Sequence, residues 1–359
     1  VLIGWTIPNI LVNSSMIVLG IETSCDETSV AIVNDQRQIL VQKILSQEEH
    51  EKYGGTVPEL AARAHTVHLD GMIRECLDEA GLTLADIDLL AATSGPGMIG
   101  GLLVGLTTAK TLAYACNKPY YGINHLEGHA LTARLTNNVA YPYLLLLVSG
   151  GHCEWVIVEG LGHYIKLGGT IDDALGESFD KVAKMLQLGY PGGPRVEALA
   201  LKGDASRFTL PQPLVGRHGC DFSFSGLKTA VRRAIELHGP MSPQDKADLC
   251  AAFQHTIAMI LINRLAYAAE QFHARYPGET GFVLAGGVAA NHYLRNALAQ
   301  ALTAYGMELI APPIKLCTDN AAMIAWVALE YAQSGRPSDS WELVPRPKWP
   351  FDEIKCGNM

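Results

Sequence analysis

Two α/β domains of similar plan, set against each other across a cleft, are predicted by three observations. A strand, a loop of small polar residues and a second strand occur near residue 17 and again near residue 143, and each copy leads on to helices and further strands. Such repetition marks an internal duplication. The 359 residues exceed one ordinary domain and suit two of about 150–200 residues each. Hydrophobic residues make up 48% and charged residues 18%, which excludes disorder, and 35 glycines without a collagen period call for many tight loops.

The elements follow in order. Ile17–Glu22 (IVLGIE) is a short apolar run that reads as a buried strand, followed by the polar loop Thr23–Thr28. Ser29–Val33 is a second strand, Asn34-Asp35 starts a turn, and Ile39–Leu45 suits a third strand. Thr66–Ala80 carries apolar residues at helical spacing and stops at Gly81. Ile87–Ala92 is another strand, ending in the glycine-rich loop Ser94–Gly101, and a helix covers about 102–116. The plan then restarts with strand Tyr143–Val148, tight loop Ser149–Cys153 and return strand Glu154–Val158. Helices are expected at 173–188, 194–202, 225–237, 244–275, 291–305 and 320–334, with a strand Phe282–Ala285 ending in Gly286-Gly287. No low-complexity linker separates the halves, so the cleft is expected to be tight. The expected units are 16–140 and 141–350, the second with helical insertions.

Charge and cysteine content narrow the classes. With 27 basic against 36 acidic residues, net −9, the chain is no globally basic nucleic-acid binder, although a local basic patch is compatible. Eight cysteines are scattered without a CxxC pair, so thiolate zinc patterns are absent and reduced thiols in a cytosolic protein fit best. The longest aliphatic run, Leu144–Val148, is far short of the ~20 residues that span a bilayer. Residues 1–15 are apolar and lack Lys and Arg. Met16 is expected as the natural start and 1–15 as an upstream extension; the rival is an organelle presequence, which normally carries Arg.

Three strand ends carry small residues: Thr23-Ser24, Ser149-Gly150-Gly151 and Gly286-Gly287. Glycine has no Cβ, so its backbone N–H groups approach an anion or a ring face closely, and the Ser and Thr hydroxyls are expected as added donors. Two such hairpin loops facing each other would clasp a phosphate chain, and the third would lie beside a purine. His125 and His129 stand four apart, about 40° from each other around a helix, a good divalent-metal pair once a third ligand joins. Asp319 is the candidate third ligand; lying just before a helix, it either caps that helix or turns outward. Glu127 invites a zinc-peptidase reading, but the order is HxExH rather than HExxH, which turns Glu127 about 200° from His125.

The paired hairpin loops resemble the actin, hexokinase and heat-shock chaperone ATPase superfold, with a nucleotide cleft between two similar domains. A closer resemblance lies in GIETSCDETSVAIV (20–33), NHLEGH (124–129), LLVSGGH (146–152), FDKVAKML (179–186), YPGGP (190–194), DFSFSGLKT (221–229), AGGVAAN (285–291) and CTDNAAMIA (317–325). From about Met16 to Pro350 the chain is similar to the TsaD family of tRNA adenosine threonylcarbamoyltransferases, once labelled glycoprotein endopeptidases. The resemblance implies transfer of a threonylcarbamoyl group from threonylcarbamoyl-AMP to N6 of the adenosine beside the anticodon, in tRNAs reading codons that begin with A, with release of AMP. It implies one divalent metal, iron or zinc, on His125, His129 and Asp319. It implies donor contacts at Leu147, Val148, Ser149, Gly150, Gly151, Asp180, Gly193 and Asn291, where Asn291 has a plain alternative as a helix cap. Asp26 is expected to assist the amine as base or orienter, with Glu27 beside it; Cys25 has no identifiable base. Lys228, Arg232 and Arg233 form a candidate RNA-facing patch. Implied partners are tRNA, a catalytically dead paralogue and a small ATPase, in the cytoplasm and with no membrane, or in an organelle if residues 1–15 belong to a presequence. A sugar-kinase-like phosphotransferase of the same superfold, using ATP/ADP, and a metalloendopeptidase are the alternatives.

Overall fold

The computed structural model describes residues 15–354 apart from 48–49 and 51–54. The expectation for residues 1–15 therefore lies, but for Ser15, outside the described residues. Two five-stranded sheets repeat one plan. In the first, β1 (Ile17–Glu22), β2 (Glu27–Asn34), β3 (Ile39–Ser46), β4 (Leu89–Gly95) and β5 (Tyr120–Asn124) lie in the order β3-β2-β1-β4-β5. In the second, β6 (Tyr143–Val148), β7 (Cys153–Gly160), β8 (His163–Gly169), β9 (Gly281–Ala285) and β10 (Glu308–Ile310) lie in the order β10-β9-β6-β7-β8. In both, the first strand is central: antiparallel to the hairpin partner that follows it and parallel to a strand on its other side. β6 is buried along its whole length, which explains its unbroken apolar run YLLLLV.

Nine α-helices complete the described residues: α1 (Pro58–Ala80), α2 (Ile99–Cys116), α3 (His125–Asn137), α4 (Leu175–Met185), α5 (Gly192–Ala200), α6 (Ser225–His238), α7 (Pro243–Arg275), α8 (His292–Leu302) and α9 (Ala321–Gln333). α1 starts eight residues before the expected Thr66, because Pro58 opens it and its first turns bury only Ala61 and His65, too few apolar groups to show a period. β5, β8 and β10 went unread. β5 has five residues, β10 has three, and β8 is only half-buried, so none carries a strong alternation. The expected helix 291–305 ends at Leu302, and its last residues form a 3-10 turn.

The core has three layers. α1 and α2 cover the outer face of the first sheet. α4–α8 cover the outer face of the second, where the 33-residue α7 is anchored by a reciprocal Ser242–Asp245 cap. Between the sheets, α3 and α9 pack against β1, β2, β4, β6, β7 and β9. α9 comes after the second sheet in sequence yet lies against the first. The tail that follows returns there as well: Asp339 N donates to Tyr120 O, Arg346 N to Ser94 O, and Asn124 Nδ2 to Trp349 O.

Two glycines allow α9 to sit so deep. A Cβ on Gly20 of β1 would lie 2.4 Å from the carbonyl oxygen of Ala321 and 2.9 Å from the backbone nitrogen of Ala325. One on Gly128 of α3 would lie 3.0 Å from Met323 Cγ. Gly20→Ala is therefore expected to push α9 off the sheet and to cost about 1–3 kcal/mol, the range for overpacking a core. Denaturant unfolding of the variant measures it, and an unchanged midpoint would contradict this packing.

Candidate functional site

The carboxyl ends of β1, β5, β6 and β9 open on one side, the usual place for a ligand in such sheets. A cavity of about 1440 Å³ lies there, lined among others by Asp26, Glu27, His125, Ser149, Asp180 and Asp319. Its walls come from both halves of the chain, and from Pro347–Pro350 of the returning tail.

The two imidazoles enter at the start of α3. Asn124 caps this helix, accepting from the backbone of Leu126 at 2.8 Å and Glu127 at 3.3 Å. His125 and His129 follow one turn apart, with ring centroids 4.7 Å from each other. Asp319 meets them from the loop that leads into the other inner helix, α9. Asn320, not Asp319, caps α9, accepting from Met323 N at 3.0 Å. That frees Asp319, whose Oδ1 lies 3.1 Å from His129 Nε2 and 3.4 Å from His125 Nε2. One ligand atom from each of the three residues lies within 4.8 Å of the others. Two imidazoles and a carboxylate form a donor set that suits iron or zinc.

Electrostatics fit a cation at this point. Burial opposes ionisation of Asp319, but His125 and His129 outweigh it and hold the carboxyl well below its usual range. Burial likewise works against a charged His125, yet the carboxylates of Asp319 and Glu22 on either side raise it well above an ordinary histidine. Glu27 moves the opposite way: burial first, then Asp319 and Asp26, push it well above the carboxylate range. Burial and the same acids push the Cys25 thiol up, so it stays protonated and is no nucleophile.

Glu127 points away, as its spacing predicts. It is buried on the far side of α3, where the hydroxyls of Tyr164 and Tyr331 donate to it at 2.6 and 2.8 Å. Burial lifts its carboxyl to about 7 in spite of these bonds. It is an anchor for the helix and cannot reach a metal held by His125 and His129.

The expected nucleotide loops are unequal. In Ser149–His152, Ser149 N donates to His152 O and His152 N to Ser149 Oγ, which closes a tight turn. A Cβ at Gly150, Gly151 or Gly193 would meet nothing within 4 Å, so backbone there is open to a ligand. In the first loop, the Thr23 hydroxyl donates to Gly101 O, so it is not the phosphate donor expected of it. Leu147 and Val148 are buried in β6 and offer only backbone. Asp180 faces the cavity and accepts from Gly192 N at 2.7 Å. The Asn291 side chain is used within the fold, capping α8 through Leu294 N and donating to Gln254 Oε1. Asp26 faces the cavity with the Tyr190 hydroxyl 3.5 Å away. On α6, Lys228 is paired with Asp173 at 2.9 Å and Arg232 lies 3.6 Å from Glu236, whereas Arg233 is exposed.

Three residues escaped the sequence reading. His152 lines the cavity as a neutral imidazole, held down to about 4 by burial and by His125 and His129. Glu22 is buried against His125. His65 on α1 grips the acidic loop at both ends, with Nε2 donating to Cys25 O at 2.9 Å and Thr28 Oγ1 bonding Nδ1 at 2.8 Å. The motifs at 146–152 and 20–33 contain His152 and Glu22 without marking a role for either, and His65 lies in none of the motifs.

A family model described as TsaD: tRNA N6-adenosine threonylcarbamoyltransferase matches residues 38–326. A protein of that name from Paramagnetospirillum magneticum is 56% identical over 339 residues, covering 94% of this chain and 97% of its own. Another, from Agrobacterium fabrum, is 56% identical over 343 residues, covering 93% and 94%. Among solved structures, HypF of T. kodakarensis superposes with a TM-score of 0.60 at 16% identity, covering 89% of this chain and 48% of that one. Full-length HypF in its phosphate- and nucleotide-bound form gives 0.56 at 12% identity, covering 89% and 56%. At such identities these structures show the shared superfold.

Burial depresses the protonation of His65, the Cys25 carbonyl only partly opposing it. The unfolded chain takes up this proton near an ordinary histidine value of about 6.5 and the native chain only below it. Native stability must then fall as pH drops through that window. Urea unfolding at pH 7 and pH 5 is expected to show a smaller acid loss in His65→Gln than in wild type; equal losses would contradict a neutral, buried His65.

Proposed function

The chain belongs to the TsaD family, the tRNA N6-adenosine threonylcarbamoyltransferases, and from that membership we propose how its cleft works. It is a transferase that modifies tRNA at N6 of adenosine. The proposed donor is threonylcarbamoyl-AMP, and the proposed acceptor is the adenosine beside the anticodon of tRNAs reading codons that begin with A. The observation that carries this reading is that an open glycine loop and a two-histidine, one-carboxylate set share one cavity.

The nucleotide half of the donor lies along the backbone of Leu147, Val148, Ser149, Gly150 and Gly151, with Asp180 and Gly193 on the facing wall and Asn291 holding the start of α8 beneath it. His125, His129 and Asp319 hold one divalent ion, iron before zinc, which polarises donor oxygens when bound. In the chemical step the adenosine amine attacks the carbamoyl carbon. A carbon–nitrogen bond forms, the carbon–oxygen bond to the phosphate breaks, AMP leaves, and one proton leaves N6. Asp26 takes or orients that proton. Glu27, beside Asp26 in the same loop, is the second catalytic acid; burial and its acidic neighbours push its carboxyl above the usual range. The peptidase alternative is disfavoured because Glu127 is bound to two tyrosines. The kinase alternative leaves the histidine pair without a purpose.

The further proposals concern setting. The chain acts in the cytoplasm with a catalytically dead paralogue and a small ATPase. Lys228, Arg232 and Arg233 contribute to RNA binding, Arg233 foremost because the other two have acidic partners. Residues 16–140 and 141–350 are the two units, α9 being lent by the second to the first.

A reconstituted assay with tRNA, bicarbonate, threonine, ATP and an adenylate-forming enzyme tests the reaction through AMP release and modified adenosine. The double variant His125→Ala with His129→Ala is expected to fold, to lose its metal by elemental analysis and to abolish transfer; full metal occupancy would sink the ligand assignment. Asp26→Asn should slow single-turnover transfer by ~10²-fold or more, the scale of lost general-base help, with little change in adenylate binding. A normal rate in that variant returns Asp26 to an ordinary loop acid.

A further inference from the structure

We infer that Glu22 is a positioning residue that sets which nitrogen of His125 faces the metal and fixes the ring's direction. The inference rests on the proposal that His125, His129 and Asp319 are metal ligands. Glu22 ends β1 and has no solvent exposure. An ionised carboxylate in that position costs several kcal/mol unless hydrogen bonds satisfy its oxygens. They are satisfied: Oε1 accepts from Ser24 N at 2.6 Å, and Oε2 accepts from the Thr93 hydroxyl and from His125 Nδ1 at 2.9 Å. The three donors come from the loop after β1, from β4 and from the start of α3. An ionised carboxylate can only accept. Nδ1 of His125 thus faces an acceptor-only carboxylate and keeps a hydrogen, so that Nε2, which faces the space shared with Asp319 Oδ1 and His129 Nε2, is the nitrogen that would give up its proton to a metal.

A carboxylate behind the imidazole is the arrangement by which metal-binding histidines are commonly oriented and made more basic. His129 has no such carboxylate behind it among the described residues, so within the pair this support falls on His125 alone. Position in the chain agrees with this role. Glu22 is four residues before Asp26, so the same turn that carries the acidic loop into the cleft delivers the carboxylate behind His125.

The test compares wild type, Glu22→Gln and Thr93→Val for binding of Zn²⁺ and Co²⁺, by competition with a chelator of known affinity and by the visible absorption of bound Co²⁺. Circular dichroism and thermal melting check the fold. Glu22→Gln keeps the volume and removes the charge; it is expected to bind each metal 10–100-fold more weakly, the usual loss when such an outer partner is removed. Thr93→Val leaves the carboxylate but removes one of its three donors, and should weaken binding by a smaller factor. A purely structural Glu22 would lower the melting temperature of the folded variant and leave its metal affinity unchanged, which overturns the inference. If Glu22→Gln does not fold, wild-type affinity in Thr93→Val overturns it instead. If wild type binds no more metal than the double histidine variant, the ligand assignment falls and the role of Glu22 falls with it.

Discussion

Everything at the cleft depends on one packing constraint: two helices, α3 and α9, lie side by side between two sheets. Both are buried nearly all round, so neither can slide or turn without disturbing the sheets above and below. Each begins at an asparagine that spends its side chain on the helix end. The functional groups stand at those beginnings, on fixed backbone rather than on swinging loops. The meeting of His125 and His129 with Asp319 is therefore a property of the middle layer of the fold, and Gly20 and Gly128 belong to the site although neither faces the cavity.

The cleft is acidic. Asp26, Glu27, Asp180 and Asp319 line it, with Glu22 buried behind His125, in a chain whose net charge is already −9. Carboxylates at such density repel one another, and Glu27 answers by holding its proton while Asp319 leans on the histidines. A divalent cation on the proposed ligands would relieve the same repulsion. Of the lysines at the rim, Lys181 is already engaged by Asp173 and Glu177, whereas Lys184 and Lys348 line the same cavity.

What could be read from the sequence depended on how local each signal was. The repeated strand–loop–strand and the long apolar helices announce themselves within a dozen residues, and both sheets took the expected plan. The histidine pair was visible because four residues of helix bring two side chains together. Asp319 was ambiguous because capping and ligation want the same residue at nearly the same place; Asn320 resolves it by taking the cap. Glu22 and His65 gave no sign, for their partners are 103 and 40 residues away and only the folded backbone joins them. β10 and β5 were missed for a related reason, since strands of three to five residues take their identity from a neighbour strand. The roles expected of Thr23 and Asn291 illustrate the opposite hazard, because small polar residues at loop ends are useful to the fold as well as to a ligand.

The return of α9 and the tail to the first sheet has a consequence for how the protein comes into being. The ribosome delivers β1–β5 and both histidines early, but the helix that covers their inner face comes almost 200 residues later, after the whole second sheet. Until then the first half has an uncovered apolar face and an imidazole pair without its carboxylate. Domains of a growing chain ordinarily settle one after another; here the first cannot settle before the second is made. The proposed ligand set is thus complete only at the close of synthesis, and a chain cut short before Asp319 has neither a finished core nor the carboxylate that meets the two histidines.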